Sequence, residues 1–308
     1  MNLKYQLYLN TVYHVDKFLP KETIFISDQN LLFEGVIMAD RHLIALDLDG
    51  TLLKDDKTIS LKTKEIIKKA RELGHIVMIA TGRPFRSAEM YYRELDLDTP
   101  IVNFNGAFMH HPRNPSWGFY HEPLDVKVAK DIVEACRSFH FHNIIAEVID
   151  DVYFHYHDEK LLDIFSFGNP KITTGDLAEF LKESPTSMLI HTEEDQLSSI
   201  RDHLSAVHAE VIDHRSWAAP WHVIEIIKVG LNKAVGLKKA SDYFGIPSER
   251  IIAFGDEDND LEMLEFAGHG IAMGNGIDKV KNIANDVTSS NEEDGVARYL
   301  ADLLKIKF

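Results

Sequence analysis

The sequence predicts a doubly wound (Rossmann-like) α/β core with a parallel sheet, interrupted by an inserted α+β domain. Three observations carry that prediction. From residue 42 onward, short apolar runs alternate with stretches of helical periodicity, the pattern of strand–helix–strand units with right-handed crossovers. After about residue 121 the rhythm gives way to mixed helices and strands as far as about 226. Alternation then resumes and runs to the end of the chain. The expected division is residues 39–121 and 227–308 as core and 122–226 as insertion, with residues 1–38 an N-terminal extension of unknown role.

In that extension Tyr5, Leu7, Leu9, Tyr13 and Val15 share one parity, a weak strand pattern, and Leu31 to Met38 form a second apolar patch. Met38 is a candidate alternative translation start. Mass spectrometry of the natively expressed N-terminus tests it, and an intact Met1 species counts against it. The first core strand is expected at 42–47, followed by a helix over 60–73 with Ser60 as N-cap and Gly74 just past its end. HIVMIA (75–80) reads as a buried strand and TGRP (81–84) as the turn into a second helix, with Pro84 suited to its first turn. PIVNFNGA (100–107) reads as a third strand and turn. In the insertion, a helix over 125–139 precedes two strand-like runs, NIIAEVI and VYFHYH, joined at Asp150-Asp151. SMLIHT and a run ending in HVIEII follow. The core resumes with a helix over 232–244, the strand RIIAFGD (250–256), a helix over 258–267, the strand GIAM (270–273) and two more helices.

Composition bounds the function. The chain has 308 residues, 45% apolar and 27% charged, as in soluble globular proteins, with a net charge of −16. Such a balance argues against nucleic acid as a partner, because that affinity comes mainly from Lys and Arg neutralising phosphates. A small phosphorylated substrate is compatible with it if a divalent cation offsets the local charge. No run approaches the length of a membrane span and no secretory signal is legible, so a cytoplasmic location without membrane association is expected. Cys136 is the single cysteine; Val128, Ile132, Cys136 and Phe139 recur at helical spacing, which makes it a buried structural thiol. Nothing distinguishes a monomer from a homodimer.

The chemistry gathers at strand ends. The apolar run Leu43 to Leu48 holds Asp47 and is followed by Asp49, Gly50 and Thr51. Aspartate is depleted in strands and costly to bury, so the pair implies a metal cation, a carboxylate nucleophile toward phosphate, or both. Alone, it is also open to a lesser reading as a strand and an ordinary Asp-Gly turn. But parallel strands present their carboxyl ends to one ligand-binding edge. The second strand brings Thr81 and Gly82 there. The late strand brings Asp256, with Asn259 and Asp260 on the turn that opens the next helix, and Lys233 starts a helix nearby.

This ordered set, DLDGT (47–51), ATGRP (80–84), NGA (105–107), Lys233 in GLNKAVGL and GDEDND (255–260), resembles the motifs of the haloacid dehalogenase (HAD) superfamily. It is similar in particular to the Cof-type phosphatases, which carry a large α+β cap between the second and third motifs. IAMGNG (271–276) and VTSSNEEDGVA (287–297) are similar too, and the resemblance spans about 39–308. Asn232-Lys233-Ala234 stands where Ser-Lys-Gly is usual and Gly276 where Ala is usual; neither change removes a functional group. The resemblance implies an Mg²⁺-dependent phosphatase acting on small phosphorylated metabolites: sugar phosphates, phosphorylated pyridoxal compounds or flavin precursors. It assigns Asp47 as nucleophile and Asp49 as general acid and base. Mg²⁺ falls to Asp47, the Asp49 carbonyl and Asp256, with Asp260 supporting it less directly. The phosphoryl oxygens fall to Leu48, Thr81, Gly82, Lys233 and Asn259. A phosphosugar mutase or a non-catalytic phosphometabolite sensor are the alternative readings.

Other signals lead elsewhere. GHGIAMG (268–274) has the spacing of a dinucleotide loop, but its glycines leave a helix and flank a strand instead of opening a helix. His140, His142, His155 and His157 invite zinc but come without a complete ligand set, and a partly solvated cap surface is expected for them. Trp217 and Trp221, near the end of the insertion, are expected in core packing more than in a substrate pocket.

Overall fold

The structure is a computed structural model and describes residues 41–208, 212–217 and 222–307. The expected strand within residues 1–38 and the side chains of Trp217 and Trp221 lie outside the described residues. The core begins with β1 (Leu43–Leu46), α1 (Leu61–Glu72), β2 (Ile76–Ile79), α2 (Phe85–Glu94) and β3 (Ile101–Asn103). Two strands that follow, β4 (Phe108–His110) and β5 (Phe119–His121), were too short to leave a periodic signature. The insertion then supplies α3 (Val126–Cys136), β6 (Phe141–Val148), β7 (Asp151–Phe154), α4 (Glu159–Phe165), β8 (Ile172–Thr174), α5 (Leu177–Phe180) and β9 (Ser187–Thr192). It closes with α6 (Glu194–His208), β10 (Ile212–Trp217) and β11 (Val223–Lys228). The chain ends with α7 (Lys233–Phe244), β12 (Ile251–Gly255), α8 (Leu261–Phe266), β13 (His269–Ala272), α9 (Asp278–Ile283), β14 (Asp286–Val287) and α10 (Gly295–Leu303).

The core sheet has the order β14-β13-β12-β1-β2 and is parallel throughout. Side chains alternate across its strands, so β1 serves two layers at once. Ile44 and Leu46 pack against Ile66 and Ile67 of α1 and Leu300 of α10. Leu43 and Ala45 pack on the opposite face with Leu237 of α7 and Met263 of α8. A doubly wound sheet is the result. β3 touches this sheet through an Ala80–Val102 bridge and pairs antiparallel with β4, which pairs with β5. The stretch 100–107 is a strand and a turn as expected: Phe104, Asn105 and Gly106 all have positive φ and reverse the chain.

Local chemistry explains the helix ends. The Ser60 hydroxyl accepts from the Thr63 amide at the start of α1, Asp125 caps α3, and Asn232 caps α7 through the Val235 amide. The inserted sheet has the order β10-β11-β9-β6-β7-β8. One of its faces packs on α3, with Ile132 and Cys136 buried against Ile144, Ala146 and Ile190. Burial pushes the Cys136 thiol up to about 12, which suits an inert structural cysteine. Glu147 and Glu225, on its strands β6 and β11, reach across to Arg86 and Asn105 of the core.

Candidate active site

At the carboxyl end of β1 the Asp47 amide still donates to the Phe254 carbonyl of β12 at 3.2 Å. The chain then closes a tight turn in which the Leu53 amide reaches the Leu48 carbonyl at 2.8 Å. Gly50 is needed in it, with φ +75° and a Cβ that would stand 2.1 Å from an Asp256 carboxylate oxygen. The C-terminal segments clamp the turn from outside. The Asn275 side-chain amide donates to the Gly50 carbonyl at 2.8 Å and that of Asn291 to the Leu53 carbonyl at 2.9 Å. Both asparagines belong to the tail segments whose similarity to the Cof-type pattern was noted above, and this clamp is their structural use.

Lys233 is wholly buried and its ammonium lies 2.6 Å from an Asp47 carboxylate oxygen and 2.7 Å from one of Asp260. The other Asp260 oxygen accepts from the amides of Asp256 and Glu257 at 2.9 and 3.1 Å. Asp256 accepts from the Thr51 hydroxyl at 2.8 Å. Asp47, Asp256 and Asp260 each offer a carboxylate oxygen within 4.8 Å of the others. Three carboxylates thus crowd around one ammonium. Burial and the neighbouring aspartates drive the Asp47 carboxyl well above its usual range against the pull of Lys233. Burial and Asp260 raise Asp256 to about 7. The same carboxylates hold the Lys233 ammonium charged in spite of its burial. This excess of negative charge on hard oxygen donors fits a divalent cation such as Mg²⁺.

Asp49 is placed apart from that cluster. Its carboxylate is forked by the Arg83 guanidinium at 2.6 Å through two nitrogens, and Lys57 adds a third contact at 2.8 Å. Partial burial would raise its pKa, but these cations outweigh burial and hold it at about 2. Thr81 is buried; its hydroxyl accepts from the Arg83 amide at 3.1 Å. The Gly82 Cα faces the Asn105 side-chain amide, where a Cβ would come within 3.2 Å. Asn259 donates to the Asn105 side-chain carbonyl oxygen at 3.0 Å. The Leu48 side chain is buried in the core, so only its backbone is available to a ligand.

Four predicted segments therefore converge at one edge. Sequence reasoning assigned no role to Arg83, Lys57, Asn105 or Glu225. Arg83 and Asn105 lie inside quoted motifs. Glu225 carried the same signal as Asp47, a carboxylate in an apolar strand, and passed unremarked. The histidines divide as a partly solvated surface allows: His140, His142 and His157 are exposed and His155 is buried. Its Nδ1 accepts from the Leu177 amide at 3.2 Å, which ties β7 to α5.

The model of the haloacid dehalogenase-like hydrolases matches residues 44–300. The chain belongs to that family. Among its curated relatives, the 5-amino-6-(5-phospho-D-ribitylamino)uracil phosphatase YitU of Bacillus subtilis is 64% identical over 265 residues, covering 86% of this chain and 98% of the relative. The pyridoxal phosphate phosphatase YbhA of Escherichia coli is 30% identical over 276 residues, covering 84% and 97%. A crystal structure of a haloacid dehalogenase-like hydrolase from Bacteroides thetaiotaomicron superposes with a TM-score of 0.74 at 27% identity, covering 85% of this chain and 99% of that one. The chain is accordingly a phosphatase of the Cof-type branch. Among the described residues no helix is long and apolar enough to cross a membrane.

Proposed function

We propose that this phosphatase hydrolyses a small phosphorylated metabolite of the flavin-precursor type, a ribityl phosphate joined to an aminated pyrimidine, in a reaction dependent on Mg²⁺. The buried cluster of Asp47, Asp256, Asp260 and Lys233 carries the chemistry, and 64% identity to a phosphatase named for that substrate supports the class. Asp47, the Asp49 carbonyl and Asp256 would hold the ion, with Asp260 behind them; when bound, it supplies positive charge between two anions that must meet.

The protein's own groups do the rest. Asp47 attacks phosphorus in line, forming a carboxyl–phosphate bond as the ester oxygen leaves, so that one hard step becomes two. Asp49 protonates the departing oxygen and then takes a proton from the water that hydrolyses the aspartyl-phosphate. The Arg83–Lys57 clamp favours its ionised form, so it reaches the acid form only after swinging clear of Arg83. The Lys233 ammonium, the Thr81 hydroxyl, the Asn259 amide and the Leu48 and Gly82 backbone share the charge on the phosphoryl oxygens. Residues 122–226 act as a cap whose closure excludes bulk water.

Asp47→Asn is expected to abolish Mg²⁺-dependent phosphate release from the phosphorylated ribityl pyrimidine. Unchanged turnover overturns the mechanism. Product analysis separates a hydrolase, which frees phosphate, from a mutase, which returns an isomerised ester; a sensor would bind without turnover.

A further inference from the structure

Asn105 joins the inserted domain to the phosphoryl cradle. Its Nδ2 lies 3.1 Å from each carboxylate oxygen of Glu225 on β11, and its Oδ1 accepts from Asn259 Nδ2 at 3.0 Å. Glu225 and Asn105 are both buried. The backbone goes to some length to put Asn105 there. Phe104 and Asn105 hold φ near +50°, which asparagine tolerates but which is costly for Phe104, and neither faces solvent. The Asn105 backbone amide is tied to the Thr81 carbonyl at 3.1 Å. Gly106 packs so closely on the residue before Lys233 that a Cβ there would stand 2.2 Å from the Asn232 carbonyl oxygen.

We propose that Glu225 and Asn105 are positioning residues that orient the Asn259 amide toward the phosphoryl group only when the inserted domain is closed; this rests on the phosphatase reading above. Both carboxylate oxygens of Glu225 stand 3.1 Å from Asn105 Nδ2, the position of acceptors facing a donor. Glu225 therefore compels Asn105 to present its NH₂ toward the cap and its carbonyl toward Asn259. That carbonyl in turn compels Asn259 to present its own NH₂, which has a second hydrogen for a phosphoryl oxygen. Turning either amide over would set oxygen against oxygen. One acceptor in the inserted domain thus fixes the polarity of two amides in the core. Lifting β11 away removes the acceptor and releases both. The Asn105–Thr81 backbone bond and the close packing of Gly106 on Asn232 hold this loop against the core.

The test compares Glu225→Ala, Glu225→Gln, Asn105→Asp and the double variant Asn105→Asp/Glu225→Gln. Phenyl phosphate and the phosphorylated ribityl pyrimidine serve as substrates, and inorganic phosphate binding is measured by calorimetry with Mg²⁺ present. Glu225→Ala should lower kcat tenfold or more on both esters and weaken phosphate binding similarly, with little change in the KM ratio between them. Glu225→Gln keeps an acceptor for Asn105 and should stay within about threefold of the parent. Asn105→Asp opposes two carboxylates and should lose a hundredfold. In the double variant the introduced glutamine donates its NH₂ to one oxygen of the introduced aspartate, whose other oxygen still accepts from Asn259, so at least tenfold should return. A Glu225→Ala effect confined to KM for the ribityl substrate overturns the proposal, because Glu225 would then read the leaving group directly. Unaltered phosphate binding in Glu225→Ala overturns it as well. A parent enzyme that hydrolyses neither ester sinks the phosphatase reading instead, and phosphate binding by the same variants still decides the relay.

Discussion

At the scale of single residues, the site is held by charges that have almost no water to share. Lys233 is flanked by Asp47 and Asp260 with no exposed surface of its own. Lys233→Met would leave two buried carboxylates facing each other. Removing one partner of a buried ion pair costs about 3–5 kcal/mol. The variant is expected to melt markedly lower and to lose at least a hundredfold in kcat, while Lys233→Met/Asp47→Asn regains much of the melting temperature and none of the activity. A parent-like melting curve for the single variant would refute this account. His110 makes a second prediction, about pH. Its ring stacks on Phe108 and meets Phe85 edge-on, its Nδ1 is buried with no partner among the described residues, and burial lowers its pKa to about 4. The unfolded chain binds the proton near pH 6.5 and the folded protein only near 4, so stability falls as pH drops through that interval. At about 1.4 kcal/mol per pH unit, the full loss is about 3 kcal/mol. His110→Phe should flatten the decline of Tm between pH 6.5 and 4; an identical slope in both proteins would exclude His110 as the cause. None of this was legible beforehand, because a histidine's protonation depends on neighbours that no local pattern names. The carboxylates were legible, since an aspartate in an apolar strand needs a reason that sequence alone can demand.

Elements were read more easily than the contacts between them. α1, α3 and α7 begin at residues whose side chains cap them, and capping is a local property carried within four residues. The turn after β3 was legible from its Asn-Gly pair, but not its backbone form, which needs three successive residues of positive φ, two of them not glycine. Close packing is equally nonlocal. Gly236 lies on α7, and a Cβ there would stand 2.4 and 2.7 Å from the methyls of Val102 on β3. Gly236→Ala gains helix propensity but overpacks this contact, and a net loss of about 1–3 kcal/mol is expected in a denaturant titration. Gly236→Ala/Val102→Ala should recover most of it; a stabilised single variant would mean that α7 can shift freely, which the Lys233 geometry at its first turn argues against. The insertion and the core also share a buried ion pair. Arg86 of α2 bonds Glu147 of β6, its amide meets the Asp150 carboxylate at 3.3 Å, and Ser187 donates to Glu147 at 3.3 Å. This pair and the Asn105–Glu225 link join the insertion to the core at two separate polar contacts.

Across the whole molecule, part of the net charge of −16 falls where it is least tolerated, in the buried Asp47–Asp256–Asp260 cluster. The fold brings these carboxylates together from two strand ends that are 209 residues apart in sequence at Asp47 and Asp256, and one ammonium compensates only part of their charge. A cation that binds the folded cluster and not the unfolded chain must therefore stabilise the fold through mass action. At a hundred times its Kd the gain is about 2.7 kcal/mol, enough to raise Tm by several degrees in a chain of this size. Mg²⁺ should raise the melting temperature and EDTA reverse it. Asp256→Asn supplies the decisive comparison, because Asp256 is repelled by Asp260 and penalised by burial. Without metal the variant should melt at or above the parent, since a crowded carboxylate has been relieved. With Mg²⁺ it should fall below the parent, since a ligand has been lost. The two melting curves thus cross as metal is added. A variant that stays below the parent at every Mg²⁺ concentration would show that Asp256 serves mainly to receive the Thr51 hydroxyl, and a parent indifferent to Mg²⁺ and EDTA would remove the cation from the cluster altogether.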